Sequence, residues 1–92
     1  MKFMVSYELL HDTRDEAIKR FKKSQGAAPA GVTMLGRWHR ADASGGFTLV
    51  ETNDARTITD FALEWSDLLR ISAVPVIDDA QLSEAFDILS RK

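Results

Sequence analysis

Four short runs in which apolar and polar residues alternate are separated by stretches with helical spacing, and their order restricts the chain to very few folds. Phe3, Val5 and Tyr7 alternate with Lys2, Met4 and Ser6, the period of two of a strand. Thr13 followed by Glu16 reads as a capping box, so a helix is expected to begin near Arg14. Ala17, Ile18 and Phe21 form its apolar face, and Lys22 and Lys23 suit the negative end of its dipole. Gly26 to Gly31 reads as a loop by its Pro and Gly content. Val32 to Arg40 is a second predicted strand and Phe47 to Thr52 a third, with Asp42-Ala43-Ser44-Gly45-Gly46 as the turn of a hairpin between them. Thr52 or Asn53 is suited to cap the next helix. Its stripe is Ile58, Phe61, Ala62 and Trp65, spaced i, i+3, i+4 and i+7. Leu68 to Ile77 is a fourth strand. Asp78 or Asp79 then caps a last helix with apolar positions Leu82, Ala85, Phe86 and Leu89.

The order is βαββαβ plus a C-terminal helix, an α+β chain forming one domain over residues 1–92. Right-handed crossovers turn this order into the split βαβ arrangement of ferredoxin-like folds. The first and third strands then lie in the centre. Pro75 agrees, because a residue without an N–H belongs on an edge strand and it falls in the fourth.

Two crossover helices cover only one face of such a sheet. Strand parity assigns Phe3, Val5, Tyr7, Val32, Met34, Trp38, Phe47, Leu49, Leu69, Ile71 and Ala73 to the covered face. The other face then carries Met4, Leu35, Val50, Val74 and Val76 among Ser6, Thr33, Thr48, Ser72, Arg37, His39 and Arg70. It is too apolar to meet water, so a homodimer through this sheet face is expected. The alternative is that the C-terminal helix folds back over it.

Composition narrows the partners. Net charge is −2, which gives no electrostatic reason to bind nucleic acid or an anionic membrane. The absence of cysteine excludes disulfides and thiolate chemistry and suits a cytoplasmic protein. No signal-peptide pattern and no membrane-span length is seen in the sequence.

Several segments resemble a known family. They are Met1 to Val5, Arg14-Asp15-Glu16-Ala17, Gly36-Arg37-Trp38-His39, Ser44-Gly45-Gly46-Phe47, Val50-Glu51-Thr52, Trp65-Ser66-Asp67-Leu68-Leu69 and Pro75-Val76-Ile77-Asp78-Asp79. Over nearly the whole chain they are similar to small bacterial proteins grouped as domain of unknown function 3303. The resemblance implies a ferredoxin-like domain of the dimeric α/β-barrel kind and implies no activity. The wider dimeric α/β-barrel group includes cofactor-free monooxygenases, haem-degrading enzymes and isomerases, but a shared fold does not carry function.

Six residues stand out as a candidate ligand-binding set. His39 titrates near neutrality by residue type, and Arg37 on the same strand face could hold an anion beside it. The plainer reading is that both hydrogen-bond across a dimer interface. Glu51 shares parity with Phe47 and Leu49, and Tyr7 on the neighbouring central strand is expected within its reach. That pair is either a proton-transfer pair or a satisfied polar pair. A one-residue shift of the hairpin would instead set Arg37 opposite Glu51. Trp38 and Trp65 are either core or the aromatic walls of a cleft between sheet and helices. His11 and His39 form no metal-ligand spacing, Gly45-Gly46 belongs to a turn rather than a phosphate loop, and no cofactor motif is seen. The readings that remain are a small-molecule site in each subunit and a non-catalytic interaction or scaffolding module. RNA binding is a third. Gly46-Phe47-Thr48-Leu49-Val50 resembles a strand of RNA-recognition modules, but the basic flank and second aromatic are missing.

Overall fold

A four-stranded antiparallel sheet of order β2-β3-β1-β4 organises the chain, as seen in a computed structural model that describes residues 1–91. The elements are β1 (Lys2–Leu9), α1 (Arg14–Ser24), β2 (Thr33–His39), β3 (Gly45–Glu51), α2 (Ala55–Trp65), β4 (Leu69–Val76) and α3 (Asp79–Ser90). This is the ferredoxin-like α+β order with an added C-terminal helix. β1 and β3 are central, and Pro75 sits on the edge strand β4 opposite Phe3. No helix among the described residues is long and apolar enough to cross a membrane.

The core is small. Phe3, Val5, Val50 and Ile58 cluster with Val32 and Ile71 against them, and Val50 is the largest fully enclosed side chain among the described residues. The phase of the sheet differs from the parity expectation on two strands. Phe3, Val5 and Tyr7 of β1 lie opposite Val50, Thr48 and Gly46, so these β3 residues face the helices and Phe47 and Leu49 face away. In β2 an irregularity between Met34 and Gly36 resets the alternation. Arg37 and His39, opposite Thr48 and Gly46, therefore lie on the helix side, and Trp38 lies opposite Phe47 on the open side. Both alternate sets of β3 contain apolar residues, so periodicity alone could not choose between them. The β-branched Val50 fills the tight centre, and the larger Phe47 and Leu49 are left for the open face.

Helix ends depart from expectation in instructive ways. Thr13 makes no cap bond; its hydroxyl is shared between the carbonyls of Leu10 and Leu68, each 2.8 Å away. The cap of α2 is Asp54, which accepts from the Arg56 amide at 3.0 Å, and Thr52 instead accepts from the Asp54 amide. Asp78 caps α3 in a reciprocal box with Gln81. None of α3 is buried, and it does not cover the open face of its own sheet. The radius of gyration, 15.7 Å, shows that arm; a compact domain of this length has about 12 Å.

The two crossover helices are held differently. α2 buries Ile58, Phe61 and Trp65. α1 buries only Ala17 and is fastened by polar tethers. Thr13 ties its start to Leu68. Arg20, lying over the Trp65 ring at 5.4 Å, forks onto Asp67 at 2.8 and 2.7 Å and donates to the Glu64 carbonyl at 3.0 Å. Arg37 reaches from β2 to the carbonyls of Gly26 (2.8 Å) and Gln25 (3.0 Å) just past its end. Gly26 has φ +61°, and a Cβ there would come within 2.8 Å of the Phe21 ring, so this junction requires glycine.

The fork from Arg20, assisted by its charge, holds the Asp67 carboxyl below its ordinary range. A depressed carboxyl stabilises the fold above its unfolded pKa, and that stability is lost as pH falls through the folded value. The pair is exposed, so the effect is small and salt-screened. Asp67→Asn is expected to melt a few degrees below wild type near neutral pH in low salt. The gap should close as pH falls through the carboxylate range; thermal melts across pH check this.

Candidate functional site

Fastening α1 at its ends leaves room beneath it. Between α1, α2 and the sheet lies a cavity of about 470 Å³, a size that suits a small organic molecule. Val5 and Ile71 floor it from the sheet, Phe61 and Trp65 close it from α2, and Ile18 and Phe21 overhang it from α1. Ile18 and Phe21 remain 44% and 36% exposed, because α1 stands off the sheet instead of packing down.

Tyr7, Arg37 and His39 gather around Phe21 at one end of this apolar chamber, whose lining also includes Lys22, Arg40 and Thr48. A cross-strand row sets their geometry. Tyr7 on β1 and His39 on β2 both lie opposite Gly46 of the intervening β3. Neighbours two strands apart are separated by about 9.6 Å of sheet. Tyr7 nevertheless spans it, its hydroxyl hydrogen-bonded to His39 Nδ1. The span passes over the glycine. A Cβ on Gly46 would lie 2.6 Å from Tyr7 Cε1 and 2.8 Å from its hydroxyl oxygen.

Burial raises the Tyr7 phenol above its ordinary range, partly offset by the Arg37 charge. At neutral pH the phenol therefore keeps its proton, and the bond to Nδ1 is open to the imidazole tautomer that carries its ring proton on Nε2. Phe21 meets the His39 ring edge-on at 5.7 Å. Arg37 packs on Phe21 at 4.9 Å, both its η nitrogens committed to the carbonyls of Gln25 and Gly26. It is a clamp for the end of α1 more than a hand for a ligand.

Four of the six sequence candidates, Tyr7, Arg37, His39 and Trp65, line the cavity. Trp38 does not: the reset in β2 turns it to the open face, where it is 59% exposed. Glu51 does not either. It lies opposite Lys2 and Thr33 at the far end of the sheet, away from Tyr7, so neither the Glu51–Tyr7 pair nor the Glu51–Arg37 pairing forms. Sequence reasoning missed Lys22, Arg40 and Gly46. In the sequence Lys22 suits the helix dipole and Gly46 suits the turn, whereas Gly45 and Gly46 are buried residues of β3. A glycine inside a strand is a recognisable sign of close approach by another group. Among the described residues no cluster of three His, Cys, Asp or Glu is placed to hold a metal ion.

The glycine row makes a specific prediction. A Cβ at Gly46 would meet the Trp38 carbonyl oxygen at 2.5 Å as well as the Tyr7 ring, so Gly46→Ala displaces both β2 and the ring and costs about 2 kcal/mol by overpacking, a fall in Tm of roughly 10 °C. The Tyr7–His39 bond should be lost, seen as a change in the His39 ring resonances by NMR.

No curated protein and no solved structure matches this chain. The family model described as Domain of unknown function (DUF3303) matches residues 1–89, nearly the full length. On that match, and with its fold now described, the chain belongs to the DUF3303 family.

Proposed function

We propose that this protein is a homodimer in which each subunit binds a small, mainly apolar molecule in the cavity beneath α1. The observation that carries the reading is the chamber itself: aromatic and aliphatic walls from three sides, with Tyr7, Arg37 and His39 grouped together in its lining. An apolar cleft of this size that is open to solvent through Ile18 and Phe21 favours an apolar occupant that covers its walls.

The dimer is supported by the open side of the sheet. Trp38 and Phe47 are cross-strand partners there, 59% and 45% exposed, and Val74 is exposed on the same side. Placing the larger aromatics outward suits a surface that a second copy covers. The lack of cysteine suits a reducing cytoplasm as the setting. A module that only binds other proteins is favoured by one feature, the exposed stripe Leu82, Phe86 and Leu89 of α3. The two readings share the dimer and differ in whether the cavity takes a ligand.

A neutral fluorescent probe, N-phenyl-1-naphthylamine, separates them. Its emission should rise on mixing with the wild type and stay low with Ala62→Phe, which fills the chamber from α2. No rise, or an equal rise with the filled variant, would mean that the probe meets only the exposed apolar faces and would overturn the cavity reading. For the dimer, sedimentation velocity should give twice the chain mass for wild type and a folded monomer for Phe47→Asp. A monomeric wild type at every concentration tested would contradict it.

A further inference from the structure

We infer that the ligand of the cavity is an amphipathic organic anion: a monocarboxylate with an apolar body, its carboxylate held at the end near His39. This rests on the cavity reading above and adds the chemical class. The chain has 14 acidic residues against 12 lysines and arginines, yet the residues lining the cavity include Lys22, Arg37, Arg40 and His39 and not one Asp or Glu. A mouth with that balance holds positive potential over an apolar chamber and favours an anion entering it.

The availability of these groups sharpens the assignment. Arg37 is spent on two backbone carbonyls. Lys22 and Arg40, by contrast, make no ion pair among the described residues. The nearest competitor for Arg40 is Asp42, which feels its charge, but that carboxylate is already engaged by the amide and hydroxyl of Ser44. Arg40 itself makes only a long 3.4 Å contact to the Ser44 hydroxyl. Lys22 also faces the negative end of α1, a task that Lys23 shares.

The imidazole adds a third donor. The ring is bonded to the Tyr7 hydroxyl through Nδ1, and in the tautomer that accepts from the phenol Nε2 carries an N–H. An ammonium, a guanidinium and an imidazole are thus available, and among the described residues no Asp or Glu lines the chamber. A cationic ligand would find no counter-charge there. A neutral ligand would leave the donors without the charge-assisted bonds that a carboxylate supplies. One such group fits at the polar end, and the rest of the molecule must be hydrocarbon to match the walls.

The test is displacement of N-phenyl-1-naphthylamine by decanoate and by 1-decanol, near neutral pH, with wild type and with Lys22→Gln/Arg40→Gln. The chain lengths are equal, so the head group is the variable. Decanoate should displace the probe from wild type at a concentration about tenfold lower than decanol. Raising NaCl from about 50 to 500 mM should weaken decanoate only. In the double variant the two competitors should come within roughly twofold of each other. Decanol equal to or better than decanoate on wild type would overturn the anion inference and leave the cavity reading standing. So would an unchanged preference in the double variant. If neither competitor displaces a probe that the filled variant excludes, the anion inference falls and the cavity reading stands; if the probe binds the filled variant as well as wild type, both fall.

Discussion

Helix α1 is joined to the rest of the molecule by side-chain hydrogen bonds at its ends and one side, with only Ala17 buried beneath it. The partly buried bonds from Thr13 and from Arg37 to Gly26 contribute on the order of 1 kcal/mol each, and the exposed Arg20–Asp67 fork adds little. Buried side chains, as on α2, would bind the helix by bringing it down onto the sheet. Hydrogen bonds at the periphery fix its position without requiring contact at the centre. The helix can therefore stand away from β1 and β3, and the space beneath it follows from how it is attached.

The sheet answers the same design from below. Its central strand carries Gly46 where Tyr7 must cross to His39, and Thr48 and Val50 further along the same face. The polar row closes one end of the chamber, while Val50 and its neighbours form the small true core at the other. The arginine that fixes the end of α1 also stacks on Phe21, and Phe21 in turn touches the His39 ring. The structural clamp and the polar end of the cavity are one connected set of contacts. A change at either should be felt at the other.

Much of this was legible in the residues. Element order, the central and edge strands, the position of Pro75 and the α2 stripe all follow from periodicity and proline chemistry, which act locally. The phase of β3 and of the second half of β2 does not. It depends on one irregular residue between Met34 and Gly36, and on which of two apolar sets fits the tighter space. Simple alternation puts Trp38 on the helix side and Arg37 and His39 on the open side, and the irregularity in β2 reverses all three. Glu51 failed for a different reason: parity fixes a face but not a distance along the strand, and Tyr7 lies at the other end. Thr13 looks like a cap in sequence, but its hydroxyl is used over a separation of 55 residues, which no local pattern encodes. The cavity itself was anticipated only in outline, because a hollow arises from the packing that α1 does not make.

Hydrogen exchange of the native protein tests this account most directly, since it reports how each helix is held. Amides of α1 should exchange through local openings well below the global unfolding free energy, while those of α2, β1 and β3 share the global protection. Equal protection of α1 and α2 would mean that α1 is packed as firmly as its neighbour, and would contradict a helix suspended over a hollow.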